Sequence, residues 1–458
     1  MINYGLTMKK FHIRTYGCQM NKHDTEILTG LMIKNGFLPE NNIYDADIII
    51  YNTCAIRQRA EEKVFGNIGS LKTLKNKKPD LIFAIVGCMA KKEENILFQK
   101  IPHLDIAAGP QAVFKIPDMI KAVLKGKSVQ NDFQEYGYIP EGECIKREGK
   151  ISAWISIMKG CDNFCAYCIV PYVRGREKSR PSKEIINEIK GVVKDGFSEI
   201  TLLGQNVLAY GKKLDEIIDF SDLIKKIHSI KGLERIRYET GHPRDYTEKL
   251  LDTFDEFPKL CKHFHLPLQA GSNKILKAMN RGHSKEFFID LVSRIKKRFP
   301  YSSVTSDIIV GFPGESDLDF EETIDVVKKV RFDGAHTFYF SPREGTKAWN
   351  LRPLLPENER KKRLAKLNLL QNRICYEENQ KYLNQTVNVL CEGLDKKHNK
   401  FITGRTDTNK IAIINPETEL LKHSYGSIIN AKVIETTAWT LKCEFTGFIK
   451  LGCNNEKE

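Results

Sequence analysis

Ala153-Trp-Ile-Ser-Ile-Met-Lys-Gly-Cys161-Asp-Asn-Phe-Cys165-Ala-Tyr-Cys168 is an apolar, strand-like run that ends in a glycine and three cysteines. The cysteines are separated by three residues and then by two. Thiolates select soft metals, so zinc and iron-sulfur clusters are the two candidates for such a loop. A structural zinc site normally has four protein ligands, and no close fourth Cys or His completes this one. A four-iron cluster usually takes four cysteines, so three leave one iron open to another ligand. The spacing predicts an iron-sulfur cluster on Cys161, Cys165 and Cys168 with one open iron.

Working outward toward the carboxyl end, strand-like and helical segments alternate. AWISIM at 153, EITLLG at 199, RIRYET at 235, HFHLPL at 263, VTSDIIVGF at 304 and AHTFYF at 335 read as strands. Helical stretches separate them, among them Ser182 to Lys194, Ser221 to Ser229, Asn273 to Met279 and Ser284 to Arg298. Six β/α units predict a partial barrel or a strongly curved parallel sheet. A charged helical run, Pro356 to Leu383, then leads into short β-rich segments between Thr386 and Phe448, which predict a small antiparallel barrel.

Toward the amino end one pattern occurs three times, a strand-like run closed by a cysteine: Phe11 to Cys18, Asp47 to Cys54 and Leu81 to Cys88. Helix-like stretches, Asp24 to Lys34 and Arg57 to Leu74, lie between them and predict a small parallel α/β sheet. In an open α/β sheet ligands bind beyond the carboxyl ends of the strands, so Cys18, Cys54 and Cys88 are placed to converge. The alternative is three buried cysteines acting as small core residues. Residues 129–150 mix Gly, Pro and charges without periodicity and read as a linker.

Composition narrows the function classes. A chain of 458 residues is expected to form two or three domains, and 41% hydrophobic with 28% charged residues excludes general disorder. Seventy-two Lys and Arg against 58 Asp and Glu give a net charge of +14, which favours a polyanionic partner such as nucleic acid. The start lacks the pattern of a signal peptide and no apolar run spans a membrane, so the expectation is a cytoplasmic protein with no membrane partner. Twelve cysteines in a reducing compartment point to metal or redox chemistry before disulfides.

The C-x3-C-x2-C loop after the first strand of a β/α repeat, with Tyr167 before the third cysteine, resembles the radical S-adenosylmethionine (SAM) superfamily. The longer string GCDNFCAYCIVPYVRGREKSRP at 160–181 adds to this, with YGCQMN at 16, NTCAIR at 52, GCMA at 87 and LLGQNVLAYG at 202. HLPLQAGS at 265, DIIVGFPGE at 307 and YFSPREGT at 339 extend it over nearly the whole chain. Together they resemble the methylthiotransferases, most closely the MiaB-type tRNA enzymes.

The resemblance implies an α/β fold in three parts. These are an N-terminal methylthiotransferase domain over 1–128, a radical SAM partial (β/α)6 barrel over 151–378 and a TRAM-like RNA-binding antiparallel β-barrel over 379–452. The linker spans 129–150 and a tail 453–458. It implies two [4Fe-4S] clusters: one on Cys161, Cys165 and Cys168 with SAM on the open iron, and an auxiliary one on Cys18, Cys54 and Cys88 that supplies sulfur. SAM-contact candidates are Tyr167, Gln205, Gln269, Gly311, Gly314 and Glu315, against the alternative that the last five are turn residues at the sheet rim.

The implied reaction is methylthiolation of C2 of N6-isopentenyladenosine at tRNA position 37. Its partners are that tRNA, modified near the anticodon, an external electron donor and a sulfur donor. Methylthiolation of threonylcarbamoyladenosine or of a ribosomal-protein aspartate is the nearest alternative; an iron-sulfur RNA-binding or redox-sensing protein is the non-enzymatic one. Arg174, Arg176, Lys178 and Arg180 either contact tRNA phosphates or form a solvated basic turn. His242, His263, His265 and His283 are expected in structural roles. Cys144, Cys261, Cys375, Cys391, Cys443 and Cys453 share no spacing and read as bystanders. Gly241 departs from the family, which usually has serine there.

Overall fold

The computed structural model describes residues 8–55, 58–127, 129–134, 145–395, 400–415 and 424–451, with backbone only at 58–63. They group into two compact units. One comprises Met1–Glu148 with Met158–Asp162 and Cys168–Arg180; the other comprises Gly149–Ile157, Asn163–Tyr167 and Pro181–Glu458.

The first unit is built on a six-stranded sheet, every pair parallel, ordered Leu38–Pro39, Lys10–Thr15, Ile48–Thr53, Ile82–Gly87, Ile106–Ala108, Gln130–Asp132. The two central strands, Ile48–Thr53 and Ile82–Gly87, are buried at every position. Continuous apolar runs of this kind belong to parallel strands covered on both faces. Alternation then divides the side chains. Ile48, Ile50, Ile82, Ala84 and Val86 pack with Leu28 and Met32 of helix Gln19–Lys34 and with Ile116 and Ile120 of helix Ile116–Leu124. Ile49, Tyr51, Phe83 and Ile85 turn the other way, onto Val64, Ile68 and Leu71 of helix Gln58–Lys77. Each fully buried side chain of this size contributes roughly 1.5–3 kcal/mol.

The sheet is wider than the three strands expected from sequence. Part of the supposed linker, Gln130–Asp132, pairs as its edge strand, because a short edge needs only backbone partners and not an apolar run. Residues 135–144 of that segment lie outside the described residues.

In the second unit six parallel strands follow one another in chain order, as three-stranded sheets joined by a bridge between Ile236 and Leu260. Ser152–Ser156, Glu199–Leu203 and Arg235–Tyr238 form one sheet; His263–His265, Ser303–Val310 and Gly334–Tyr339 form the other. Helices return between strands, for example Ser182–Lys194, Phe220–His228, Glu248–Glu256, Lys285–Arg298 and Asp317–Val330. This is the partial (β/α)6 barrel anticipated from the sequence.

Helix Glu357–Gln380 leads to a closed five-stranded barrel of Thr386–Leu394, Ile402–Thr406, Ile411–Ile414, Ile428–Thr436 and Thr440–Lys450. One seam departs from the antiparallel expectation: Ile411–Ile414 pairs parallel with Thr440–Cys443, the geometry by which the chain closes the barrel without a sixth strand. Arg235 and Arg237 of the half-barrel dock it. Arg235 donates to the carbonyls of Arg405 and Asn388 at 2.7 and 2.9 Å, and Arg237 to that of Thr406 at 2.7 Å and to Glu199 Oε2 at 2.7 Å. Among the described residues no helix is long and apolar enough to cross a membrane.

Candidate cluster-binding site

Cys18, Cys54 and Cys88 stand at the carboxyl ends of three neighbouring strands. Register aligns Thr15 with Asn52 and Thr53 with Gly87, so the three cysteines leave the sheet along one edge. Cys18 caps helix Gln19–Lys34, and Cys88 opens the short helix Cys88–Lys92. Gly17 has φ +126°, and a Cβ there would lie 2.4 Å from Cys54 Cβ, so only glycine lets the first strand end pass so close to the second.

Asn21 and Asn52, both buried, lock these ends together. Asn21 Nδ2 donates to the Thr53 carbonyl at 2.9 Å and to Asn52 Oδ1 at 3.2 Å, while Asn52 Nδ2 donates to the Asn21 carbonyl at 2.8 Å. The motifs around the cysteines thus form a hydrogen-bonded frame. A hydrogen bond from Cys54 pulls the Cys18 thiol down to about 5 against the opposing effect of burial, with Arg174 adding its charge. Burial pushes Cys88 up.

Arg174 belongs to this frame. Sequence leaves it in a basic run open to tRNA, but it is 4% exposed, and its Nη2 donates to Asp24 Oδ2 at 2.8 Å and Asn21 Oδ1 at 3.2 Å. Arg180 is buried as well, so a phosphate-contact role for the run is left to Arg176 and Lys178, the exposed pair of residues. Local composition cannot separate a solvated charge run from one folded inward.

In the Cys161–Cys168 loop, Gly160 has φ +78°, and a Cβ there would come within 2.1 Å of the Arg176 carbonyl oxygen. Cys161 N donates to the Gly175 carbonyl at 3.3 Å, and Asp162 Oδ1 accepts from Glu177 N at 3.1 Å. The middle of the loop is held within the second unit. Ala166 N donates to the Met279 carbonyl at 2.9 Å and the Ala166 carbonyl accepts from Ala348 N at 2.7 Å. Asn280 Nδ2 reaches the carbonyls of Asn163 and Phe164, each at 3.1 Å, and Arg281 Nη1 donates to Cys165 Sγ at 3.3 Å. Asn280 and Arg281 escaped the sequence reading; they follow helix Asn273–Ala278, far along the chain, with no spacing to mark them.

Tyr167 packs half-buried against a cluster containing Ala270, Leu276, Phe312 and Phe340. Gln205 and Gln269 follow strand ends; Gln269 is 7% exposed with φ +70°, its N–H bonded to the Asp307 carbonyl and its carbonyl to Ile309 N. Gly311, Gly314 and Glu315 form the turn after Ser303–Val310. Glu315 is buried with its carboxylate folded back onto Gly311 N at 2.7 Å and Arg363 Nη1 at 2.6 Å, so it braces the turn from within. Burial raises the Glu315 carboxyl, with Arg363 and Gly311 opposing.

Three of the four histidines are hydrogen-bonded within the fold. His263 Nε2 and His265 Nδ1 share Thr305 Oγ1 at 2.8 and 3.0 Å, and His242 Nδ1 accepts from Arg244 N at 3.2 Å. Gly241 has a packing reason: a side chain there would strike Leu208 at 2.6 Å. Cys261, Cys375, Cys391 and Cys443 are buried with thiols raised by burial; Cys144 and Cys453 lie outside the described residues. None of the ten described cysteines forms a disulfide. Among the described residues no three His, Cys, Asp or Glu close around a single ion. A four-iron cube asks for less, since each thiolate binds a different iron. The donor set, three cysteines at one sheet edge beside a buried cation, suits such a cluster.

Residues 155–327 match the radical SAM superfamily, 10–109 the uncharacterized protein family UPF0004 and 380–446 the TRAM domain. The chain is 42% identical over 437 residues to a tRNA-2-methylthio-N(6)-dimethylallyladenosine synthase of Acetivibrio thermocellus, covering 95% of this chain and 90% of that protein. Its counterpart of the same name in Natranaerobius thermophilus is 43% identical over 436 residues, 94% and 96% of the two chains.

The chain belongs to the radical SAM tRNA methylthiotransferase family.

Membership makes the methylthiotransferase a transferase whose cofactors are SAM and [4Fe-4S] clusters. Among solved structures, a radical SAM methyltransferase from Kitasatospora setae with cobalamin and a [4Fe-4S] cluster bound superposes with TM-score 0.56 at 11% identity, covering 75% of this chain and 74% of that one. That likeness concerns the fold.

Proposed function

We propose that the enzyme methylthiolates C2 of N6-isopentenyladenosine at position 37 of tRNA, giving 2-methylthio-N6-isopentenyladenosine. The observation that carries this reading is the alignment of Cys18, Cys54 and Cys88 on one sheet edge, in a chain 42% identical to a synthase of that name. In this reading Cys161, Cys165 and Cys168 ligate one [4Fe-4S] cluster with an iron open to SAM. Cys18, Cys54 and Cys88 ligate an auxiliary [4Fe-4S] cluster through which sulfur is delivered.

When bound, these groups supply one-electron cleavage of the SAM sulfonium and a sulfur atom, which an aromatic C–H bond without useful acidity requires. The chain's own residues supply position. Tyr167, Gln205, Gln269, Gly311 and Gly314 border SAM, Glu315 keeps the glycine turn in shape, and the C-terminal barrel holds RNA. An external electron donor and a sulfur donor complete turnover in the cytoplasm, where the tRNA is.

Anaerobic reconstitution is expected to give about two four-iron clusters per chain, by the open-ligand count; iron and sulfide for one alone would reject the assignment. Mass spectrometry of tRNA nucleosides from a deletion strain tests the substrate. Loss of 2-methylthio-N6-isopentenyladenosine is expected. Its persistence, with loss of the threonylcarbamoyl derivative instead, would reject the reading.

A further inference from the structure

Arg174 is the charged group that the reaction scheme leaves unused. Its chain neighbour Val173 packs with Ala55, Cys88 and Ile169, and its own backbone is fixed, the carbonyl by Gln111 Nε2 at 3.0 Å and the N–H by the Val170 carbonyl at 2.8 Å. Its bonds to Asp24 and Asn21 are both made by Nη2, and Asn21 Oδ1 also accepts from Cys18 Sγ at 3.4 Å. A buried guanidinium is costly unless it is paired and hydrogen-bonded. Asp24 supplies one negative charge. Cys88 and Cys18 face the same cation, and each favours its charge against burial. Asp24, Asn21, Cys18 and Arg174 thus form one arrangement in which a cation waits beside two of three thiol ligands.

We propose that Arg174 is a positioning residue, the built-in counterion of the strand-end cysteine site, and that it raises the reduction potential of the cluster Cys18, Cys54 and Cys88 hold. The inference rests on that ligand assignment. Three thiolates give a cluster net negative charge, and adding one electron makes it more negative. A fixed cation in low-dielectric surroundings stabilises the reduced form more than the oxidised one. The electron comes from an external low-potential one-electron donor; no bond forms or breaks.

The test uses the full chain with Cys161, Cys165 and Cys168 replaced by alanine, reconstituted anaerobically with iron and sulfide, so that only the strand-end site carries a cluster. Its potential is read by a dithionite titration followed by electron paramagnetic resonance. Arg174→Gln is expected to shift the midpoint to more negative potential, and Arg174→Lys, which keeps the charge without the planar fork, to restore most of the shift. Loss of iron from Arg174→Gln but not from Arg174→Lys also supports the proposal. An unshifted midpoint in an iron-loaded Arg174→Gln protein overturns it, as does loss of iron from both variants, which marks a packing role. Adding Cys18→Ala, Cys54→Ala and Cys88→Ala must abolish iron binding. Iron retained there rejects the ligand assignment itself, whatever the Arg174 variants do.

Discussion

Arg281 Nη1 donates to Cys165 Sγ at 3.3 Å while its Nη2 donates to the Pro267 carbonyl at 2.9 Å, so one buried guanidinium ties the middle cysteine of the loop to the strand-end region after His263–His265. A hydrogen bond from a charged group is worth about 1.5–3 kcal/mol. Arg281→Met is expected to lower formation of 5′-deoxyadenosine from SAM and dithionite by about tenfold or more, each 1.4 kcal/mol of barrier being about a factor of ten. Chromatography of the quenched reaction measures it; an unchanged rate at wild-type iron content would dismiss the contact.

Gly17 and Gly36 separate steric need from backbone strain. Both have positive φ, but a Cβ at Gly17 collides with Cys54, whereas at Gly36 it meets nothing within 4 Å. Gly36→Ala is expected to cost about 1–2 kcal/mol in unfolding free energy, the left-handed penalty alone, and to keep full iron content. Gly17→Ala displaces Cys54 and is expected to lose roughly half of the reconstituted iron, the share of one of two clusters. Iron assays on the two variants side by side decide.

His265 and Asp307 make a pH-dependent pair, with His265 Nε2 3.4 Å from Asp307 Oδ2. Burial opposes the charge of both, yet the pairing raises His265 and lowers Asp307. The raised His265 stabilises the fold fully below its unfolded value near 6.5 and loses that effect as pH rises through its folded value. The lowered Asp307 contributes above its unfolded value near 3.9 and is lost as pH falls through its folded one. The difference in melting temperature between the wild type and Asp307→Asn should therefore be largest between about pH 4 and 6.5 and shrink above. A difference that grows above neutrality would contradict the pairing.

Arg237 holds the C-terminal barrel through the Thr406 carbonyl while neutralising buried Glu199. Removing one partner of a buried pair costs about 3–5 kcal/mol. Arg237→Ala is expected to lower the first unfolding transition in urea by that amount and to open the connection between Gln380 and Thr386 to limited proteolysis. Unaltered cleavage would show that Arg235 and the remaining contacts suffice.

What could be read without coordinates was whatever the chain states locally. The Cys161–Cys168 spacing is a property of eight consecutive residues, and each of Cys18, Cys54 and Cys88 closes its own apolar run. The six strands of the half-barrel announced themselves in the same way. The edge strand Gln130–Asp132 did not, because it has no apolar pattern and exists only through its neighbour Ile106–Ala108. Arg281 lies 116 residues beyond Cys165, and nothing in its surroundings marks it. Arg174 was expected on the surface, whether contacting tRNA phosphates or in a solvated basic turn; its burial depends on Asp24, 150 residues away in the chain. The parallel seam of the small barrel follows from closure, which single-strand patterns do not contain.

The two sets of cysteines also differ in when they can come into being. The loop from Cys161 to Cys168 brings its thiols near one another as soon as that short segment leaves the ribosome. Cys18, Cys54 and Cys88 sit on three strands whose pairing is parallel and non-local, the slowest kind of contact to form. Their shared edge does not exist until the sheet does, so under the proposed assignment metal loading there has to follow folding and reports on it.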